Sequence, residues 1–284
     1  MVPSKSTAIL MDLKLIIQTL LIAANLIISP DQLKFILNLL PLTTWHNVTA
    51  MKHIPNFITS LNLAAGFAAI IFTTNGDLIT ASWLIVAAMV FDFLDGFSAR
   101  MLKAYSATGK ELDSLADVVS FGVAPGLIIY KLLAVSAGNL SEFSGFKGIL
   151  IYIVVLMPVC AALRLAKFNI DTTQTTFFKG LPTPANAIAV ISVVLAAHYS
   201  PQPLLKTLTG SLSVLIAYSV VLSFLMVTRI PLLSLKFKNV GFSGNEGRYI
   251  LLGIILILFI LFRYAAAPMI IPVYIIVSLI SPPK

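Results

Sequence analysis

The sequence predicts an all-α fold, a polytopic transmembrane helical bundle of about eight spans, and three observations predict it. Of 284 residues, 58% are hydrophobic and 11% charged, less than half the charge of an average soluble domain, roughly 25%. The apolar residues gather into runs near the length of a membrane span, about 20 residues each. The basic residues fall mainly in alternate loops between those runs, as topology requires. A soluble globule, a disordered chain, collagen and a coiled coil are excluded on the same grounds. A single cysteine, Cys160, excludes a disulfide framework and a thiolate metal site. The net charge of +8 is explained by loop bases meeting anionic headgroups of the lipid bilayer, so no nucleic-acid partner is expected.

Taken in order, residues 1–50 form an extension. The stretch 9–29 is apolar but interrupted by Asp12, Lys14 and Gln18 at helical spacing, which favours an interfacial amphipathic helix over a ninth span. Pro30, Asp31 and Lys34 lead into more apolar chain with no small-residue cleavage site, against a signal peptide. Met51 reads as a natural start, so 51–240 is expected to be the membrane domain and 241–284 an apolar helical hairpin. Spans are expected near 57–75, 79–95, 115–135, 148–166, 181–199, 210–228, 249–263 and 266–281. The last two are separated only by Arg263, Tyr264 and a few alanines, compatible with one bent or re-entrant hairpin. Pro182-Thr183-Pro184 predicts an irregular helix start.

Residues 52–56 on the cytoplasmic side would put Arg100, Lys103, Lys110, Arg164, Lys167, Lys179, Arg229, Lys236, Lys238 and Arg248 there. Lys147 and Lys206 would face the other way. That asymmetry sets the orientation by the positive-inside rule. His198, at the far end of the fifth span, is expected to be interfacial.

Five of the eleven acids, Asp92, Asp95, Glu111, Asp113 and Asp117, crowd between positions 92 and 117. Asp92 and Asp95 end one span, three residues apart; Asp113 and Asp117 begin the next, four apart. Each pair shares a helix face. Four carboxylates meeting at membrane depth would repel and be costly to desolvate, so they call for divalent cations or protonation. All-oxygen ligands suit Mg²⁺, Mn²⁺ or Ca²⁺. Gly96 and Ala99 leave room beside Asp95 for a ligand, Arg100 adds a guanidinium, Ser106 and Thr108 add hydroxyls, and Gly109 permits a tight turn. Together these describe a site for a bridging diphosphate. The competing readings are an ion-pair cluster in which Arg100, Lys103 and Lys110 neutralise the acids, a cation transporter whose acids line a pathway, and a nonenzymatic lipid-binding protein.

Asp92, Asp95-Gly96, Ala99-Arg100, Gly109, Asp113 and Asp117 reproduce the pattern D-x2-D-G-x2-A-R-x8-G-x3-D-x3-D. In this the chain resembles the CDP-alcohol phosphatidyltransferases, integral membrane enzymes that displace CMP from a CDP-linked lipid or alcohol. The flanks resemble the branch acting on CDP-diacylglycerol and L-serine: Ile54-Pro55-Asn56 with Asn62, Leu112 to Pro125, Arg164-Leu165-Ala166-Lys167-Phe168-Asn169, Gly180 to Ala185, and Ser234 to Lys238. The likeness covers about residues 51–240. It implies two divalent ions, Mg²⁺ or Mn²⁺, on Asp92, Asp95 and Asp113, with Asp117 completing the second site and acting as general base. It implies CDP-diacylglycerol contacts from Pro55, Asn56, Gly96, Ala99, Arg100, Ser106 and Gly109, and often a homodimer. Arg164 and Lys167 are candidates for the serine carboxylate or a lipid phosphate, or plain headgroup anchors. A sister enzyme using glycerol 3-phosphate or an inositol phosphate remains the nearest rival, although such acceptors would call for a denser basic pocket.

Overall fold

The computed structural model describes residues 53–137, 150–171, 177–200, 202–234, 241 and 245–281. The expected amphipathic N-terminal helix, the start at Met51 and the loop bases Lys147, Lys236 and Lys238 lie outside them. Ten α-helices carry the described chain: α1 Ile54–Thr74, α2 Leu78–Met101, α3 Ala107–Asp117, α4 Ala124–Ser136, α5 Leu156–Ile170, α6 Thr183–Tyr199, α7 Pro203–Gly210, α8 Leu212–Val227, α9 Glu246–Phe262 and α10 Ile270–Ile280. A short antiparallel ribbon, β1 Phe177–Lys179 with β2 Pro231–Leu233, joins two loops.

Five helical runs are long and apolar enough to cross a membrane: Ile54–Thr74, Leu78–Met101, Ala107–Ser136, Ile151–Ile170 and Glu246–Ile280. The chain is therefore an integral membrane helical bundle; two of the expected spans fall on shorter apolar helices, and the last two fall within one long run. Helices α6 and α8 are apolar but only 17 and 16 residues long, about 25 Å of rise against a hydrocarbon core of ~30 Å. Pro182 stands just before α6 with Pro184 in its first turn, and Thr228 in extended backbone stops α8. The last run is a 35-residue stretch that folds back on itself. A 3₁₀ segment, Arg263–Met269, contains Pro268, and Arg263 has φ 49°. Gly247 at the head of α9 consequently lies so near Ser281, just past α10, that a Cβ on it would approach the Ser281 Cβ to 2.9 Å.

Helix termini follow from local chemistry. Asp77 caps α2 by accepting a hydrogen bond from the Thr80 N–H at 3.0 Å, and that bond holds its carboxyl below the ordinary range,. At the other end of α2, Lys103 takes the left-handed position at φ 49°, and the Ala104 N–H returns to the Ala99 carbonyl at 3.0 Å. That pattern stops a helix decisively. Ser106 then caps α3, its hydroxyl accepting from the Gly109 N–H at 2.9 Å.

Between α3 and α4 the helix widens to a π turn, Val118–Val123, closed by the Ala124 N–H on the Val119 carbonyl. Pro125 has no N–H to return to Phe121 four residues back. Asn186 of α6 fills the gap, its Nδ2 donating to the Phe121 carbonyl at 3.0 Å. The π turn is wedged between helices. A Cβ on Gly66 of α1 would meet the Ser120 Cα at 2.7 Å, and one on Gly122 would meet the Ala161 Cβ of α5 at 2.9 Å. Gly66→Ala is expected to lower stability by about 1–3 kcal/mol through overpacking, read as a lower midpoint of thermal unfolding in detergent.

Aromatic side chains gather where the start of α2, the end of α6 and the last hairpin meet: Trp83 Nε1 donates to the Tyr199 hydroxyl at 3.5 Å, Tyr199 lies 5.3 Å from Tyr264, and His198 meets Tyr199 edge-on at 4.7 Å. Such an aromatic girdle is usual at a membrane interface, and it includes His198.

Candidate active site

The site begins on one face of α1. Pro55, Thr59, Asn62 and Gly66 recur at spacings of four, three and four and are buried, so α1 offers a small polar strip on which α2, α3 and the π turn rest. Thr59 donates to the Pro55 carbonyl at 3.0 Å, and Ser120 donates to the Asn62 carbonyl at 3.1 Å. Gly109 lets the first turn of α3 lie against the Asn56 side chain of α1, where a Cβ would come within 2.8 Å of Asn56 Oδ1 and displace it.

Against this strip α2 presents Asp92 and Asp95 and α3 presents Asp113, each with one carboxylate oxygen within 4.8 Å of the others. Asp95 is 5% exposed, and both Asp95 Oδ2 and Asp113 Oδ1 are buried without a hydrogen-bond partner. Buried acceptors ordinarily find donors, so three converging oxygens, two of them unsatisfied, fit a hard divalent cation. Asp117 stands one turn beyond Asp113 and is also buried. Asn62 Nδ2 donates to its Oδ1 at 3.3 Å, and the charges of Asp92, Asp113 and Asp95 reach it.

Among the described residues no base pairs with these acids; the one ion pair joins Lys179 to Asp171 at 2.8 Å. Lys110 instead donates to the Asn169 carbonyl at 2.8 Å, capping the end of α5. Among the described residues the ion pairs that such a neutralised cluster calls for are not formed; Arg100 and Lys110 line the cavity beside the acids.

That cavity holds about 590 Å³ and opens directly beside Asp95 and Asp113. Pro55, Asn56, Gly96, Ala99, Arg100, Ser106 and Gly109 all line it, and a Cβ on Gly96 would meet nothing within 4 Å. Thr59, Tyr105 and Lys110 line it too; their signal in the sequence was the α1 spacing for Thr59 and nearness to the loop for the others.

A second cavity, about 790 Å³, lies where α5 and α8 meet the ribbon. Arg164, Lys167, Lys179, Arg229 and Thr228 contribute to its walls. Arg164 is 7% exposed. Its guanidinium stacks over Phe168 at 5.7 Å and donates to Thr183 Oγ1 at 3.4 Å, while its Nε has no partner. Arg229 and Lys179 were not singled out from sequence, since only the ribbon register, Lys179 opposite Pro231, brings them to Arg164.

Acids on α2 and α3 that could hold a cation, beside a cavity lined by Gly96, Ala99 and Arg100, mark the bundle's candidate active site. The CDP-alcohol phosphatidyltransferase family model matches residues 52–228, and the chain belongs to that family. It is 34% identical over 199 residues to the CDP-diacylglycerol–serine O-phosphatidyltransferase of Bacillus subtilis, 70% of this chain and 99% of that protein. It is 36% identical over 155 residues to the archaetidylserine synthase of Methanothermobacter thermautotrophicus, 54% of this chain and 62% of that protein. Against the CDP-diacylglycerol–serine O-phosphatidyltransferase of Mycobacterium leprae it is 39% identical over 151 residues, 51% of this chain and 47% of that protein. The chain thus spans about half to three-fifths of the length of the latter two.

Proposed function

We propose that the protein transfers the phosphatidyl group of CDP-diacylglycerol to L-serine, giving phosphatidylserine and CMP, on the cytoplasmic side of a bundle that crosses the membrane eight times when the last hairpin counts as two. The observation that carries this reading is the trio Asp92, Asp95 and Asp113, with its unsatisfied oxygens at the mouth of a cavity floored by Gly96 and Ala99. The printed names of the relatives favour serine as acceptor.

In this reading Asp92, Asp95 and Asp113 hold two divalent ions, Mg²⁺ or Mn²⁺, with Asp117 completing the second site. When bound, the metal ions neutralise the diphosphate and the charge that builds on departing CMP. Arg100 grips the diphosphate, and Asn56, Ser106 and Gly109 hold the nucleotide end. The serine hydroxyl is a poor nucleophile at neutral pH, so Asp117 takes its proton as the new O–P bond forms and the bond to CMP breaks. Asn62 keeps one Asp117 oxygen occupied and so aims the other. Arg164, with Lys167 and Arg229, receives the serine carboxylate.

The second cavity is more basic than the spans alone suggested, which favours glycerol 3-phosphate as the alternative acceptor. One experiment separates them. Purified protein with CDP-diacylglycerol, Mg²⁺ or Mn²⁺ and each alcohol in turn should release CMP with L-serine, and chelation should stop it. Release with glycerol 3-phosphate and not with serine would move the protein to the sister activity.

A further inference from the structure

The family match ends at residue 228, yet the chain continues into a hairpin whose polar side chains turn back toward the second cavity. The ribbon that forms one wall of that cavity is only three residues per strand, too short to be stable by itself. Its outer edge is held by α10. The Tyr274 hydroxyl donates to the Leu233 carbonyl at 2.8 Å, and the Leu233 N–H donates to Ser278 Oγ at 3.2 Å. Ser278 in turn donates to the Tyr274 carbonyl at 2.6 Å. From α9, Arg248 Nε donates to the Ser234 carbonyl at 2.7 Å. Both backbone groups of Leu233 are therefore satisfied by side chains of one helix, and all of these groups are buried or partly buried.

Arg229 and Pro231, at the head of the same strand, face the cavity together with Lys179 of the partner strand. Gly180, which follows Lys179, has φ 77° and leaves no room for a side chain between it and the end of α8, where a Cβ would meet the Met226 and Thr228 carbonyls at 2.7 Å. The ribbon is thus pressed against α8 on one side and fastened to α10 on the other. Its position sets where Arg229 stands relative to Arg164 across the cavity.

We infer that the C-terminal hairpin is a positioning element for the acceptor alcohol, acting through Tyr274 and Ser278, which fix the ribbon wall of the second cavity. This rests on the reading of that cavity as the acceptor site. Neither residue touches the substrate. Their hydroxyls hold Leu233, the ribbon holds Arg229, and that base faces the alcohol's anionic group. A hairpin that served only to fill the bilayer would have no need of three side-chain bonds to the backbone of one strand.

The test uses the full chain in lipid nanodiscs with Tyr274→Phe, Ser278→Ala and the hydroxyl-keeping Ser278→Thr. Tyr274→Phe and Ser278→Ala should raise KM for L-serine by about 5- to 10-fold, the equilibrium worth of one net hydrogen bond. KM for CDP-diacylglycerol should stay within about twofold, and Ser278→Thr should restore the serine value. Amide hydrogen exchange should quicken in 229–234 and 177–181 without a general loss of protection. Equal shifts in both KM values, or unchanged exchange in the ribbon, would overturn the inference. If the wild-type chain releases no CMP with serine, the functional reading fails by itself, and ribbon exchange then decides whether α10 holds this wall.

Discussion

Asp113→Asn is expected to abolish metal-dependent turnover, with a loss of about 10³-fold or more, or ~4 kcal/mol of transition-state stabilisation. The substitution keeps the shape of the side chain but removes one anionic oxygen from a trio whose oxygens lie within 4.8 Å of one another. Without cations, that trio is held together against its own repulsion and against the cost of burying charge. Asn at 113 relieves both. In the presence of a chelator the variant should therefore unfold at the same temperature as the wild type or above it. Added Mn²⁺ should raise the wild-type midpoint and leave the variant's unmoved, since a ligand stabilises only the state that binds it. This combination separates a lost ligand from a damaged fold. Asp92→Asn should behave the same way, because it removes a carboxylate from the same trio.

Asp117→Asn should act differently. Its carboxylate stands a turn away from the trio, bonded to Asn62, and an amide at 117 can still accept from Asn62 Nδ2 through its oxygen. What it loses is basicity. Turnover is expected to fall by about 10²- to 10⁴-fold, the usual contribution of general-base catalysis, while binding of CDP-diacylglycerol at saturating Mg²⁺, measured by calorimetry, largely survives. A variant that loses binding as fully as Asp92→Asn would make Asp117 chiefly a metal ligand, and a bound water or another group would then have to take the serine proton.

The acid trio was legible because helical spacing alone puts Asp92 with Asp95 and Asp113 with Asp117 on shared faces, and the stretch from 92 to 117 holds five of the chain's eleven acids. The glycine-floored cavity was legible for a related reason: Gly96 and Gly109 sit at fixed offsets from those acids. Asn62 was visible only as part of the motif's flank. Its role comes from the end of α3 and the π turn crossing α1 at Asn62 and Gly66, a contact between residues more than fifty positions apart that no local pattern encodes. Lys179 and Arg229 were hidden by the same logic, since a three-residue ribbon carries almost no periodic signal. Hydropathy read the ends of two segments slightly long: Pro182 stands just before α6, and Thr228, in extended backbone, just after α8. The π turn at Val118–Val123 was hidden too, although Pro125 foretells that a carbonyl near Phe121 must find another donor.

Incorporation of labelled L-serine into lipid tests the central claim most directly. Reconstituted protein given CDP-diacylglycerol, Mn²⁺ and labelled serine should place the label in extractable lipid in a one-to-one ratio with released CMP, and neither should appear with a chelator or with Asp113→Asn. CMP released without labelled lipid, or labelled lipid formed equally well by Asp113→Asn, would contradict it.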